Sequence, residues 1–319
     1  MLKDVPHSGP SVGGCPSMTV MPTLNAPEAS AAIPGLTRNW TFQPAAVRVS
    51  ERLRTANRVL RYASRAPASA VLKPARPAAR WVVCFVYVPG AGLSAGQRFT
   101  LERLKALALP VLVVCACPRD SAVLPVLREL CDALLWKDLP GYDFSAYRLA
   151  LSHLAAHSPG ADVLVMNDSV YGPFSDLREV FDTAPWGLTG FTASNQRAPH
   201  IQSYAFLLRD VRPSTMVWLA PVLLPGLAFN QFRQVVDLQE TRFARVASRS
   251  MSVGALWFGD VRDVSDPTLA RPLELLDGGF PFLKRSLLGK HQGVIEREAV
   301  LARLEALGHP LPSSESEPV

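Results

Sequence analysis

The chain has 319 residues, of which 48% are hydrophobic and 19% charged, an ordinary globular composition with length for one large domain or two small ones. Its formal charge of +6 suits anionic partners such as nucleotides, lipid head groups or nucleic acid, without choosing among them. Five cysteines, an odd number with three in or beside apolar runs, indicate reduced thiols in a cytoplasmic protein and give no metal-binding spacing.

The first 79 residues are expected to lie outside the globular domain. Residues 1–43 are rich in Pro, Ser, Ala and Gly, which predicts a disordered leader, and Lys3, Asp4 and several prolines leave no secretory signal. Residues 44–79 are interpreted as a basic amphipathic helix followed by a Pro/Ala linker. The helix lies on an anionic membrane or packs on the domain with a solvated basic face. Its apolar stripe has six arginines around it and consists of Val49, Leu53, Ala56, Leu60 and Ala63.

Residues 80–308 alternate between apolar runs of strand length and segments with helical spacing. Strands buried on both faces and separated by helices predict an α/β domain with a mostly parallel sheet. A helical C-terminal part and a disordered tail, residues 309–319, follow. The apolar segment 216–229 is too short and too rich in proline to span a membrane. The predicted strands are 81–88, 111–117, 133–136 and 162–167, and the predicted helices are 94–108, 120–132 and 143–157.

The last of these strands ends in the polar triplet Asn167-Asp168-Ser169, and Gly172-Pro173 then turns the chain. In open α/β sheets, ligands bind beyond the carboxyl ends of the strands. A carboxylate flanked by an amide and a hydroxyl supplies hard oxygen ligands for a divalent cation, Mn²⁺ or Mg²⁺, that holds a diphosphate. The alternative is a polar turn that caps the next helix.

Several segments resemble the rhamnan synthesis protein F family, glycosyltransferase-like proteins of bacterial polysaccharide and O-antigen assembly. The resemblance covers roughly two thirds of the chain. It is carried by GYDFSAYRLAL (141–151), VLVMNDSVYGPF (163–174), WGLTG (186–190), HIQSYAFLLR (200–209) and DPTLARPLELLDGGFPFLKRSLL (266–288).

The resemblance implies a GT-A-like, Rossmann-type fold and the use of a nucleotide sugar. Asn167-Asp168-Ser169 looks like the counterpart of the DxD motif that binds metal and sugar diphosphate in such folds. It has one carboxylate instead of two, so Asp168 is the single expected metal ligand. Departures from the family pattern, such as Ala184-Pro185 before the tryptophan and Ala205 after HIQSY, leave transfer of rhamnose in particular open.

The other matching segments supply candidate site residues, each with a structural alternative. Tyr142 and Asp143 open a helix, where Asp143 caps the helix or binds a base or ribose. Trp186 and Thr189 form an acceptor wall or a structural turn. Strand alternation places His200 and Gln202 on one side and Ser203 on the other. Lys284 and Arg285 neutralise a diphosphate leaving group or form a solvated surface. The candidate general bases are Glu240, Asp237 and His200.

Three functions follow as hypotheses. The first is an enzyme that moves a sugar, rhamnose being one candidate, from a nucleoside diphosphate sugar to a polysaccharide or lipid-linked glycan. It would be cytoplasmic, with peripheral association at the inner face of the cell membrane as an open expectation. The second is a non-catalytic glycosyltransferase-like module that binds a glycan or a partner. The third, a nucleic-acid binder, has no motif to support it, so no nucleic-acid partner is expected.

Overall fold

The computed structural model describes residues 32–90, 92–259 and 266–312. Its strands, in chain order, are β1 (Leu36–Thr41), β2 (Ser64–Arg65), β3 (Ser69–Lys73), β4 (Arg80–Tyr87), β5 (Val111–Ala116), β6 (Ala133–Lys137), β7 (Ala161–Asn167), β8 (Val170–Tyr171), β9 (Leu188–Ser194), β10 (His200–Ile201), β11 (Ala205–Val211), β12 (Leu227–Ala228), β13 (Val253–Gly259) and β14 (Leu283–Lys284).

Helices fill most of the connections between these strands. They are α1 (Val49–Tyr62), α2 (Ala95–Ala106), α3 (Val123–Leu130), α4 (Tyr142–His157), α5 (Arg178–Thr183), α6 (Pro213–Trp218), α7 (Phe232–Val235), α8 (Thr241–Ala247), α9 (Pro267–Ala270), α10 (Pro272–Asp277) and α11 (Arg297–Ala306). A π-helical turn, Val236–Glu240, joins α7 to α8, and a 3-10 turn covers Arg285–Leu288.

One ten-stranded mixed sheet forms the centre of the domain, in the order β1-β13-β9-β11-β7-β4-β5-β6-β3, with β10 paired to β9. Strands β4, β5, β6, β7, β9 and β13 point the same way, so the sheet is mostly parallel and the predicted fold class is confirmed. From β4 the chain proceeds outward through β5 to β6 and then returns to place β7 on the other side of β4. This reversal is a topological switch point, where α/β sheets bind ligands.

Alternation along β4 divides the core into two layers. Trp81, Val83 and Phe85 belong to the layer covered by α4, whereas Val82 and Cys84 belong to the layer covered by α2 and α3. Successive side chains of a strand point to opposite faces, and both faces here are apolar because helices cover both. The sequences of β4, β5 and β7 are nearly continuously apolar because helices cover both faces of the sheet.

The predicted leader was too long. Residues 36–41 form β1, which pairs antiparallel with β13 at one end of the sheet. Trp40 stacks on Phe258 with ring centroids 4.4 Å apart, and Phe42 is buried. The predicted linker likewise contains β3, which pairs with β6 at the other end. Sequence patterning missed both strands because an edge strand is short and half polar. Residues 1–31 lie outside the described residues.

The C-terminal boundary also shifts. His309 is buried, and its ring contacts those of Phe99, Tyr171 and Phe174. The domain therefore extends beyond residue 308, and residues 313–319 of the predicted tail lie outside the described residues. In the described ranges, no helix has the length and apolar character needed to cross a bilayer.

Candidate active site

Asp168 follows directly after β7, at the switch point between β7 and β4. Its carboxylate oxygen Oδ2 accepts hydrogen bonds from the backbone N–H of Tyr87, at the end of β4, and from Nε2 of Gln97, both at 2.8 Å. Burial raises the pKa of the Asp168 carboxyl group, although these hydrogen bonds and the Arg285 guanidinium act to lower it. The carboxylate thus joins the ends of two neighbouring strands.

Gln97 was missed in the sequence, although a signal for it was present. Ser94 and Gln97 form a capping box at the start of α2, in which each side chain bonds the backbone N–H of the other residue. The spacing Ser94-x-x-Gln97 is the usual pattern of this motif. The Gln97 amide is therefore fixed by the helix start, and its Nε2 also donates to the carbonyl of Tyr87 at 3.0 Å.

Asn167 and Ser169 flank Asp168 and connect it to α4. Asn167 Nδ2 donates to Asp143 Oδ2 at 3.0 Å, while Asn167 Oδ1 accepts from the hydroxyl of Ser169 at 2.6 Å. The N-cap of α4 is Gly141, with φ of +96°, so Asp143 lies in the first turn and does not occupy the cap position. Its Oδ1 nevertheless accepts from the backbone N–H of Phe144, so the two carboxylate oxygens divide between helix and site. Tyr142 beside it is exposed.

A second carboxylate, Glu240, approaches Asp143 from the π-helical turn. Glu240 Oε1 accepts from the backbone N–H and the hydroxyl of Ser203, both at 2.9 Å. The hydroxyl of Tyr147 lies between Ser203 and Asp143. It donates to the Ser203 carbonyl at 2.9 Å and lies 3.4 Å from Asp143 Oδ2. Burial, and next the negative charge of Glu240, raise the pKa of Asp143 from 3.8 to about 6. Such π-helical turns are frequent at functional sites.

Lys284 and Arg285 reach the site through the pairing of β14 with β8. Arg285 Nη1 donates to the Asp168 carbonyl and its backbone N–H to the Ser169 carbonyl, each at 3.0 Å. The Lys284 ammonium lies 4.7 Å from the centroid of the Tyr204 ring. Two cationic side chains therefore stand beside the strand end that holds Asp168.

Lys137, the last residue of β6, was not among the predicted site residues. It is 1% exposed, its Nζ donates to the Pro140 carbonyl at 2.7 Å, and burial lowers its pKa to about 8. The charges of Asp138 and Asp143 act in the opposite direction. Sequence reasoning ended the strand one residue earlier, because a lysine at the end of an apolar run is usually solvated.

Gln202 and His200 are both buried. Gln202 Oε1 accepts from the Thr192 hydroxyl at 2.6 Å, and its Nε2 donates to Asp266 Oδ2 at 3.0 Å. The His200 ring is held by the Ala198 carbonyl at 2.8 Å. Asp266 was missed in the sequence, although its position before Pro267 and Thr268 is typical of an N-cap.

Three predicted site residues lie elsewhere. Trp186 and Thr189 are at the amino end of β9, the edge of the sheet opposite Asp168, and both are buried. Trp186 packs on Gly254 and donates to the Thr41 hydroxyl at 3.1 Å, so the expected acceptor wall is corrected to a packing contact beneath β1. Asp237 pairs with Arg58, Arg197 and Arg233, so its carboxylate is the centre of an ion-pair cluster.

The residues around Asp168 could supply only part of the ligand set of a divalent cation. Within the described residues, no group of three His, Cys, Asp or Glu side chains is placed to hold a metal ion. Asp168 Oδ2 is already engaged by Tyr87 and Gln97. A single carboxylate suits Mg²⁺, which commonly takes its other ligands from substrate phosphates and water.

Comparison with known proteins agrees with the motifs that form this site. The sequence profile described as rhamnan synthesis protein F matches residues 111–304, which include Asp143, Asp168, Glu240 and Arg285. The chain belongs to the rhamnan synthesis protein F family. The resemblance noted from the sequence is thereby confirmed, and the family places the chain among proteins of polysaccharide synthesis. None of the curated proteins matches it.

The chain also has partial similarity to solved structures. One is a 4-diphosphocytidyl-2C-methyl-D-erythritol synthase from Anaerococcus prevotii, at 10% identity and a TM-score of 0.36, with 64% of this chain and 99% of the other covered. The second is HddC from Yersinia pseudotuberculosis, at 10% identity and a TM-score of 0.29, with 41% and 77% covered. The family assignment rests on the sequence match.

Proposed function

We propose that this protein is a glycosyltransferase with a GT-A-like domain that moves a sugar from a nucleoside diphosphate sugar to a polysaccharide or lipid-linked glycan. The supporting observation is that Asp143, Asp168, Glu240 and Arg285, which are distant in sequence, come together at the switch point of the sheet. Ligands of α/β sheets bind at such a point. Rhamnose is the donor sugar that the family description suggests.

The donor diphosphate would lie between Asp168 and the cationic side chains of Lys284 and Arg285. When the bond between sugar and diphosphate breaks, negative charge accumulates on the departing phosphate, and cations fixed beside it stabilise that charge. Asn167 and Ser169 hold the strand end through their mutual hydrogen bond. Tyr142 is exposed beside this site, where its ring is accessible to a base or sugar.

Glu240 is the proposed general base for the acceptor hydroxyl, with Asp143 as its acidic neighbour. A base must be within reach of the acceptor hydroxyl, and the negative charge of Glu240 is the second cause, after burial, of the raised pKa of Asp143. Because Asp143 Oδ2 accepts a hydrogen bond from Asn167 at the site, we expect transfer to decline as the pH falls below about 6, where the Asp143 carboxylate takes up a proton and loses its charge. Gln202 and His200 remain proposed as hydroxyl-positioning groups on the acceptor side.

A divalent cation is part of the proposal, held by Asp168 together with the donor diphosphate. When bound, it would withdraw negative charge from the leaving phosphate. Its test is binding rather than turnover alone: manganese or magnesium should raise the melting temperature only in the presence of a nucleoside diphosphate.

A cytoplasmic location is proposed as well, since Cys84, Cys115, Cys117 and Cys131 are buried free thiols, which persist in a reducing compartment.

The experiment is a thermal-shift screen of nucleoside diphosphates and nucleotide sugars, followed by a transfer and hydrolysis assay with the best ligand. A ligand that binds only the folded state raises the melting temperature by mass action. Asp168→Asn should abolish transfer, while the matched control Asp120→Asn, an exposed carboxylate with no described partner, should be fully active. An Asp168→Asn protein that transfers sugar at the wild-type rate would remove the donor site from this strand end.

A non-catalytic binding module is the second candidate. One observation favours it: an Asp168 oxygen is already satisfied by Tyr87 and Gln97, and the described residues place no three-ligand metal group nearby. A module of this kind would bind a nucleotide sugar or glycan in the thermal-shift screen and neither hydrolyse nor transfer the sugar. Turnover that depends on Glu240 would exclude it.

A further inference from the structure

Helix α1 is attached to the domain along only one face. Glu51 pairs with Arg245 Nη1 at 3.1 Å, and Arg58 Nη2 pairs with Asp237 at 3.1 Å. Val59 packs partly buried against the core. With 100° of rotation per residue, these three residues share one side of the helix. That side faces the body of the protein.

The opposite side of α1 has the apolar stripe. Val49, Leu53 and Leu60 are 70%, 67% and 80% exposed, and no residue of the helix is buried. The intervals of four and seven residues place these side chains on one face. A surface helix of a globular protein normally turns its apolar stripe toward the core. In α1, the three large side chains of the stripe are exposed instead, although Leu60 also borders the space between the helix and the domain.

Arginines flank this stripe on both sides. Arg52 lies on one flank, and Arg54 and Arg61 lie on the other. All three are exposed and form no ion pair with any residue in the described ranges. The acidic residue of the helix, Glu51, is already engaged by Arg245 on the inner side. The outer surface of α1 is therefore apolar along its centre and positive along both borders.

A cavity of about 430 Å³ lies between α1 and the domain, and the arginines that line it add to the positive charge of this surface. Its walls include Leu60 and Leu224 together with Arg52, Arg242 and Arg249. Arg242 Nη1 donates only to backbone carbonyls, at 2.7 and 3.3 Å. Burial, and next the charges of Arg245 and Arg249, lower the pKa of Arg242 to about 10. Guanidinium groups without carboxylate partners are suited to phosphate oxygens.

We infer that α1, its flanking arginines and this cavity form a docking surface for a bilayer that contains anionic phospholipids. Val49, Leu53 and Leu60 enter the region between head groups and acyl chains, and the arginines contact lipid phosphates. Charge distinguishes this occupant from a second copy of the chain. Two copies joined through this face would bring the same unpaired arginines against each other, whereas an anionic membrane neutralises them.

The test is flotation of the full-length protein with phosphatidylcholine vesicles that contain or lack phosphatidylglycerol. We expect binding to the anionic vesicles only, and binding that weakens with salt, because the Debye length falls from about 10 Å at 0.1 M to about 3 Å at 1 M. Leu53→Glu combined with Leu60→Glu should abolish flotation. Each of Arg52→Gln, Arg54→Gln and Arg249→Gln should reduce vesicle affinity by about fivefold.

The matched control is Val126→Glu combined with Val294→Glu, which adds the same charge at exposed valines outside α1. The control protein should float as the wild type does, and circular dichroism should show all variants folded. Equal binding to neutral vesicles, no binding at all, or flotation that survives the leucine changes would overturn the inference. So would a dimer in solution that these leucine changes dissociate. Flotation requires no sugar transfer, so its outcome is independent of the proposed activity.

Discussion

Two carboxyl groups of the site share a raised pKa but have different surroundings. Burial is the largest cause for both Asp143 and Asp168. Asp168 is beside the cationic Arg285, whereas Asp143 faces the negative Glu240. A nearby cation favours the ionised form and a nearby anion disfavours it. Asp168 is thus suited to charge contact with a ligand, whereas Asp143 is the acidic neighbour of the proposed base, Glu240.

Asp168 should be important for activity and replaceable for stability. Asparagine keeps an oxygen that accepts from Tyr87 and Gln97, and it removes a buried charge. The free energy of unfolding of Asp168→Asn should therefore lie within about 1 kcal/mol of the wild-type value. Asp168→Ala leaves two donors without an acceptor and should lose about 1–3 kcal/mol. Urea denaturation of both variants measures the difference. Equal stability of the two would mean that water satisfies both donors.

Asp143 should make stability depend on pH in a defined direction. Because its pKa rises from 3.8 to about 6 on folding, its favourable contribution is complete below pH 3.8 and is lost as the pH rises through 6. The loss is at most about 3 kcal/mol. Asp143→Asn does not ionise, so its free energy of unfolding relative to the wild type should increase between pH 4.5 and pH 7.5. Denaturation curves at both pH values test this, and a constant difference would contradict the assignment.

At the scale of elements, the pairing of β8 with β14 brings the cationic residues to the site. Gly172 follows β8 with φ of +116°, and its backbone passes so close to Pro281 that an added Cβ would overlap the Pro281 carbonyl oxygen. The Gly172 carbonyl also accepts from the Thr100 hydroxyl at 2.7 Å. Glycine is required here for both backbone conformation and close approach. The position of Lys284 and Arg285 depends on this contact.

Gly172→Ala should therefore destabilise the protein and weaken nucleoside diphosphate binding together. We expect a loss of roughly 2–4 kcal/mol, from backbone strain and from displacement of the 281–285 segment. Gly226→Ala is the control, because Gly226 also has a positive φ, +70°, but has no atom within 4 Å of an added Cβ. Gly226→Ala should lose about 1 kcal/mol of free energy of unfolding and bind nucleoside diphosphate as the wild type does. Thermal melts with and without nucleoside diphosphate compare the two variants. Equal losses of stability would show that backbone strain is the whole effect and that the 281–285 segment is not displaced.

At the scale of the whole molecule, strands from outside the predicted domain cover both ends of the sheet. β1 protects β13, and β3 protects β6. An uncovered edge strand exposes unpaired backbone groups to other chains. The family match begins at residue 111, so these covering strands come from the part of the chain that precedes it.

Removing residues 1–43 should destabilise the protein more than removing residues 1–31. The longer deletion takes away β1, the Trp40–Phe258 stack and buried Phe42. Loss of large buried aromatic contacts corresponds to about 3–5 kcal/mol, or a fall in melting temperature of roughly 5–10 °C. Differential scanning calorimetry and light scattering of the two truncated proteins check this. If both melt at the same temperature and stay monomeric, β1 contributes little.

The sequence by itself determined the elements whose pattern is local. The apolar runs at β4, β5 and β7 and the helical spacing of α2 and α4 fixed these elements to within a few residues, because burial on both faces makes every position apolar. The triplet at Asn167-Asp168-Ser169 was identified in the same way, since the end of a strand is a local feature. Membership of the family also followed from short contiguous motifs.

Tertiary structure alone decided what depends on residues distant in sequence. Trp186 and Asp168 both lie in motifs that resemble the family, but the direction of β9 places Trp186 at the opposite edge of the sheet. Asp237 and Glu240 are three residues apart, yet arginines from α1 and the 197 region surround the first, while Ser203 binds the second. The apolar stripe of α1 was visible in the sequence, but its exposure depends on Glu51 and Arg58 finding partners on the domain. Such pairings join residues that are far apart in sequence, so no local pattern specifies them.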